Sequence, residues 1–418
     1  MARHDQDRHT VSEAAAAPAV PASCEGKAAP VGAPAWSEAS EAAAAVGGPA
    51  SSADEAFARM SELGARGEAF LFVLDYHLRE PYVLTAEEIP PGVRFAFPHG
   101  VRTIGGEGEP APGSSFAAGA PPHISRVEPV SFERYRRGFE IVQEAQRQGE
   151  SYLANLTYPS EIGLSGTLDT VFEQARAAYR LKFSERFVVF SPEPFVRISG
   201  SSISTFPMKG TREVRLKTRE VRSDEACARR ALYADEKEAA EHATVVDLLR
   251  NDLGRVSTSV RVPRYRYIER LDFPDKVLLA ASSEITGMLE PDWPARLGEI
   301  FRNLLPAGSI TGAPKDRTCR ILEQAEGYDR GFYTGVFGWF DGEGVQSAVM
   351  IRFIESHNGG FRFKSGGGIT IYSDCEREYR ELVQKVAIPL DRRSHAGPLD
   401  RYKENNADMT GPTRRESG

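Results

Sequence analysis

The chain has 418 residues, 41% hydrophobic and 27% charged, with a formal net charge of -7. That is the profile of a globular protein with a sizeable core and no basic surface suited to nucleic acid. Cys24, Cys227, Cys319 and Cys375 are widely spaced without a C-x-x-C pair, which argues against a disulfide framework and a thiolate metal site and fits a reducing cytoplasm. No apolar run approaches the roughly 20 residues of a membrane span, and acids and prolines interrupt the Ala-rich start where a signal peptide needs an apolar stretch. A soluble cytoplasmic protein is expected.

Residues 1–52 are dominated by Ala, Pro, Gly and Ser and cannot bury enough surface to offset ordering entropy. They read as a disordered tail, as does the polar stretch 392–418. Between them, 53–128 reads as the N-terminal part of the fold and 129–391 as its main domain. A buried strand is expected at 69–75, then a linker or lid loop at 105–122, where Gly and Pro are too dense for regular structure. A helix follows over 131–149, with Ser131 as N-cap and Gly149 as stop, then a strand over 152–162.

Segments 187–190 and 196–205 read as β-structure leading to Lys209. Residues 224–249 repeat Ala, Leu and Val at helical spacing and predict one long helix. Strands are expected at 260–268 and 277–287, a helix from Pro314 through Glu326, strands at 335–340, 345–354 and 361–364, and a last helix over 375–386. Hairpin signals at Asp341-Gly342 and Asn358-Gly359 between strand runs indicate α+β with mostly antiparallel sheets.

Chemistry is suggested at several places. Lys209, in FPMKGTR (206–212), is an amine between a proline and a glycine; most such lysines are exposed solubilising charges, but such an amine can serve as a nucleophile. Glu193 in SPEP (191–194) supplies an acid on a neighbouring segment. Glu238 and Glu241, and again Glu378 and Glu381, are three apart and share a helix face; they are solvated surface or a Mg²⁺ site, and the apolar run after Glu241 favours burial, which needs a cation. Gly366, Gly367 and Gly368, expected between a strand and a turn, let backbone N–H groups approach an anion. The stretch 308–315 opens a helix with the same preference, and Arg352, expected at a strand end, can grip a carboxylate in bidentate fashion.

Taken in order, SPEPF (191–195), PMKGTR (207–212), DEKEAAEH-x-x-VVDLLRNDLGRV (235–256), LLPAGSITGAPK (304–315), YTGVFGWFDG (333–342), SAVMIRFIE (347–355) and SGGGIT (365–370) resemble the chorismate-utilising family. Its members include anthranilate synthase component I, aminodeoxychorismate synthase component I, and the isochorismate and salicylate synthases. The resemblance implies the anthranilate synthase component I-like fold, with Glu241 and Glu381 as Mg²⁺ ligands and Glu238 and Glu378 in the same acidic cluster. It implies substrate contacts from Arg352, Tyr333, Thr311, Lys385, Asn155, Thr211 and the backbone of Gly366, Gly367 and Gly368, with Glu193 as the general acid for the departing C4 hydroxyl of chorismate.

Lys209 sits where the anthranilate, isochorismate and salicylate branches have alanine and the aminodeoxychorismate branch has lysine, so the resemblance implies aminodeoxychorismate synthesis. The lysine base of the water-using branches is missing from 152–156, and the histidine that many relatives carry in the strand matching 278–282 is missing too. No cysteine sits in a glycine-flanked nucleophile turn, so the ammonia is expected from a separate glutamine amidotransferase subunit. Nucleic-acid and membrane partners are not expected.

Overall fold

The computed structural model describes residues 48–98, 121–215, 221–272 and 276–390. The expected C-terminal tail, nearly all of the N-terminal one and most of the 105–122 loop lie outside the described residues. Helix α1 (Ala53–Ala65) starts at Ser52, whose hydroxyl accepts from Glu55 N, and buries Ala56, Phe57, Met60 and Leu63. Strands β1 (Phe70–Leu74), β2 (Tyr82–Thr85), β3 (Val93–Ala96) and β4 (His123–Glu128) follow. Helix α2 (Phe132–Arg147) is capped by Ser131 as expected, and the chain leaves it through Gly149 at φ 74°. Then come β5 (Leu153–Ser165), α3 (Leu168–Gln174), β6 (Tyr179–Phe183), β7 (Phe187–Ser191), β8 (Pro194–Ser199), β9 (Ser202–Thr205) and β10 (Met208–Arg215).

The single long helix expected over 224–249 is two: α4 (Val221–Ala234) and α5 (Glu236–Gly254). Asp235 between them is extended, and its side chain accepts from Glu238 N. A carboxylate that satisfies an otherwise orphaned N–H stabilises a new helix start over a continued turn. Strands β11 (Thr258–Asp272) and β12 (Lys276–Met288), helices α6 (Leu297–Leu304) and α7 (Gly308–Thr311), the two-residue strand β13 (Gly312–Ala313) and α8 (Lys315–Glu326) complete the middle of the chain. Pro314 is the N-cap of α8 rather than its first helical residue. The last elements are β14 (Val336–Phe340), β15 (Gly344–Val349), β16 (Phe353–His357), β17 (Gly360–Ile369) and α9 (Cys375–Gln384).

Among the described residues the strands form two antiparallel sheets. The first runs β10-β12-β9-β8-β15-β14-β1-β2 with β11 on β12, and the second β13-β5-β17-β16-β7-β6-β3 with β4 on β5. Strand β1 is buried on both faces. Phe70, Phe72 and Leu74 pack with α1 and α6 side chains such as Phe57 and Phe301, while Leu71 and Val73 meet Phe95, Leu181, Val189 and Phe353 of the second sheet. The period of two along β1 thus divides its side chains between a helix–sheet core and a sheet–sheet core. Helices α2, α8 and α9 cover the second sheet through Tyr135, Phe139, Ile321 and Leu382.

One expected strand proves to be two. Residues 345–354 split into β15 of the first sheet and β16 of the second, joined by 350–352. Arg352 is therefore at the crossing between sheets, not at a strand end, and its φ of 54° is uncommon for a non-glycine residue.

Candidate active site

The glycines of 366–368 lie inside β17, paired with Thr157, Leu156 and Asn155 of β5, rather than between a strand and a turn as expected. The described glycines with positive φ do not include them, so it is space rather than backbone freedom that a Cβ would contest, most severely at Gly366. A Cβ on Gly366 would sit 2.5 Å from Thr157 Cγ2 and 2.9 Å from Leu156 O. On Gly368 it would meet Lys209 Nζ at 3.4 Å, and on Gly367 it would face Glu378 Oε2 and Lys385 Nζ at 3.8 Å. The glycine strand is a smooth floor under charged side chains.

Lys209 reaches that floor from the other sheet. It follows Met208 at a break in register between β10 and β12, where Met208 pairs with Ser282 and Thr211 with Ala280. Such a bulge re-aims a side chain that regular pairing would point elsewhere. Gly210 completes it at φ 76°, and a Cβ there would come within 3.1 Å of Glu238 Oε2. The two sheets therefore meet chemically at Lys209 and Gly368. The side chain of Thr211 lies outside the described residues.

Glu193 is held by its flanks: its N–H donates to Ser191 Oγ at 3.1 Å. Burial pushes its carboxyl up from the ordinary value, against a hydrogen bond from Ser309 and the nearby Lys209 and Lys385 charges. Sequence reasoning missed Ser309, although it sits inside the LLPAGSITGAPK motif. Lys385 Nζ donates to Gly366 O at 2.8 Å and pairs with Glu381 at 2.9 Å. Burial lowers the Lys385 pKa, as do Lys209 and Arg352, with Glu381 opposing. Burial would raise Glu381, but Lys385, Lys209 and Arg377 hold it below the ordinary carboxyl value. Arg352 donates to Lys385 O at 2.6 Å, and burial pushes the neighbouring Tyr333 phenol up.

The other predicted residues take quieter positions. Thr311 is buried, and its hydroxyl donates to Ala307 O at 2.9 Å, so it offers the site mainly its backbone. Asn155 is paired with Gly368 across the strands. Lys315, at the end of the stretch that opens α8, has its ammonium buried against Asp252 at 2.9 Å and donates to Leu304 O. No histidine stands in 278–282, but His242 on α5 is fully buried, with Nε2 2.7 Å from Ser283 Oγ. Burial, Arg266 and Lys209 push it down to about 4, which leaves the ring neutral at neutral pH.

The four glutamates come from two helices, α5 on the first sheet and α9 on the second. Carboxylates are the donors that Mg²⁺ takes, and Glu238 and Glu378 each approach a glycine of the site, Gly210 and Gly367. Among the described residues no three His, Cys, Asp or Glu side chains are drawn together around a metal position, and Glu381 is engaged by Lys385. The donor set fits a divalent cation in chemistry. A surface groove of about 550 Å³ between α2 and α8, lined by Arg137, Ile141, Arg317 and Ile321 among others, contains none of the predicted site residues.

Two sheets facing each other across a lysine, a glycine floor, a buried acid and paired glutamates are thus in place. The family model for chorismate binding enzymes matches residues 108–391, and the chain belongs to that family. An uncharacterized PabA-like protein of Pasteurella multocida is 44% identical over 331 residues, 79% of this chain and 97% of that protein. Aminodeoxychorismate synthase component 1 of Bacillus subtilis is 34% identical over 290 residues, 67% of this chain and 57% of its own. The crystal structure of anthranilate synthase component I from Streptococcus pneumoniae TIGR4 superposes with a TM-score of 0.52 at 26% identity, covering 63% of this chain and 59% of that one. The protein is an enzyme of chorismate of the anthranilate or aminodeoxychorismate synthase component I type, in the fold the sequence implied. No described helix is long and apolar enough to cross a membrane.

Proposed function

We propose that the chain is the synthase component that converts chorismate and ammonia to 4-amino-4-deoxychorismate and water. The observation that carries this reading is Lys209 Nζ against the glycine floor at Gly368, within the charge field of Glu193. A lysine there supplies an amine where the other branches have alanine. The neutral amine attacks C2 of the ring while Glu193 gives its proton to the departing C4 hydroxyl, which leaves as water. Ammonia then attacks C4, the ring double bonds shift back towards C2, and the C2–N bond breaks with its electron pair leaving on nitrogen, so that Lys209 departs as the free amine. The proton lost by the amine on attack is given back as it departs, and ammonia's surplus proton restores Glu193. Binding energy here comes from cations against a dicarboxylate: Arg352 and Lys385 are placed for one carboxylate, with the backbone of 366–368.

Mg²⁺, held by Glu241 and Glu381 with Glu238 and Glu378, would supply positive charge for the ring carboxylate. The ammonia would come from a separate glutamine amidotransferase. In support, the described cysteines Cys227, Cys319 and Cys375 all lie within helices, unlike a nucleophile in a tight turn. The deciding experiment incubates the protein with chorismate, MgCl₂ and ammonium, with and without a lyase that turns aminodeoxychorismate into 4-aminobenzoate. The expected result is 4-aminobenzoate with the lyase only. Fluorescent anthranilate formed without it overturns the assignment in favour of the anthranilate branch.

A further inference from the structure

Arg330 is 1% exposed, the largest of the fully buried side chains among the described residues, and has itself been given no chemical role above. Its five N–H donors all have acceptors. Nε donates to Glu326 Oε2 at 2.8 Å, and Nη2 donates to Glu326 Oε1 at 2.6 Å and to Asn155 O at 2.7 Å. Nη1 donates to Ile310 O at 3.1 Å and Thr334 Oγ1 at 3.3 Å. The guanidinium plane lies over the Tyr76 ring, 4.6 Å from its centroid. Glu326 is fixed in turn by Thr157 N and Oγ1, each at 2.9 Å.

The acceptors belong to three separate segments. Asn155 is the β5 partner of Gly368, over which Lys209 Nζ sits. Ile310 follows Ser309, the hydroxyl partner of Glu193. Thr334 follows Tyr333 and has a left-handed φ of 64°. A buried ion pair is weak grounds for stability, since well-packed apolar residues of the same volume often do as well. A rigid fork with five donors is, however, suited to setting distances between backbones.

We propose that Arg330, braced by Glu326, is the positioning residue that fixes the spacing of the glycine floor under Lys209, the Glu193–Ser309 contact and Tyr333. The inference relies on the reading above only in taking those three as parts of one reaction site.

The test is Arg330→Lys, which keeps the charge beside Glu326 but lacks the planar fork. Chorismate consumption and aminodeoxychorismate formation are followed together, with turnover normalised to the folded fraction from tryptophan fluorescence. The expected result is a kcat lower by about 30-fold or more with KM for chorismate changed by less than about threefold, since ångström-scale misplacement acts on the reacting geometry more than on binding. A kcat per folded molecule within about threefold of wild type, or a loss carried wholly by KM, overturns the proposal. If the lysine variant does not fold, Thr334→Val decides, because it removes one acceptor isosterically. A kcat lowered several-fold at unchanged melting temperature supports the proposal, and an unchanged kcat overturns it. If wild type consumes chorismate but makes another product, the proposed function fails while the Arg330 comparison still stands on consumption.

Discussion

Gly366, Gly367 and Gly368 adjoin one another in one strand yet face different neighbours, so alanine at each should fail differently. At 366 the new methyl would press on Thr157 Cγ2 and the Leu156 carbonyl at 2.5 and 2.9 Å, and overpacking of this kind typically costs about 1–3 kcal/mol. Gly366→Ala should therefore lower the urea midpoint. At 368 the nearest atoms are Leu153 Cδ1 and Lys209 Nζ, at 3.3 and 3.4 Å, so Gly368→Ala should reduce turnover with little change in that midpoint. Alanine at 367, with nothing nearer than 3.8 Å, should be the mildest. Glu193 yields a pH prediction. Burial raises its pKa above the ordinary carboxyl value, so the protonated acid persists to higher pH than an ordinary carboxyl, and kcat/KM should fall as pH rises through the raised value. The stability it contributes has the same sign, full below the unfolded value and lost as pH rises through the folded one. Glu193→Gln should lose about 10²- to 10⁴-fold in rate and abolish that limb of the profile; a limb that survives would assign it to another group. Lys209 is tested by intact-protein mass after chorismate without ammonia. An adduct of chorismate less one water, absent from Lys209→Ala, is expected.

Among the elements, Ser131 and Gly149 were legible as a helix start and stop because capping is local chemistry written within a few residues. The break at Asp235 was written as locally, in an aspartate three residues before Glu238, but the apolar period runs through it and masks it. The crossing of β15 to β16 was not legible at all, because apolar residues run through 345–354 on both sides of Arg352 and periodicity cannot say which sheet a buried strand joins. For the same reason the site residues were recognisable by motif while Ser309 and Arg330 were not: their work lies in contacts between segments far apart in sequence. The α5–α7–α8 junction makes this testable. Asp252 on α5 and Lys315 on α8 are both buried, 2.9 Å apart, and a Cβ on Gly308 of α7 would lie 2.7 Å from Asp252 Oδ2. Lys315→Met leaves that carboxylate buried without its cation, and such losses run to about 3–5 kcal/mol. Chemical denaturation should show this, and adding Asp252→Leu to the same chain should recover part of it. A single variant as stable as wild type would mean the pair is not structural.

For the molecule as a whole, the candidate site groups divide between two sheets that share a core but have no strand pairing with each other among the described residues. Lys209, Glu238 and Glu241 belong to the first sheet and its helix, and Gly366 to Gly368, Glu378, Glu381 and Lys385 to the second. A divalent cation shared by Glu241 and Glu381 would tie the two layers at the site, and a ligand that binds the folded state alone raises its stability by mass action. At a hundredfold excess over Kd this is about 2.7 kcal/mol, a rise of a few degrees in Tm for a chain of this size. The expected outcome is that MgCl₂ raises the melting temperature of the chorismate-free protein. Glu241→Gln and Glu381→Gln should each remove most of the rise, because each takes one ligand from one layer. Glu381→Gln should also weaken the hold on Lys385, which pairs with it at 2.9 Å, so its own melting temperature without Mg²⁺ is the reference for its shift. An equal rise in wild type and both variants would place any bound Mg²⁺ elsewhere and remove the glutamates from the cation site, while leaving the lysine chemistry to stand or fall on its adduct.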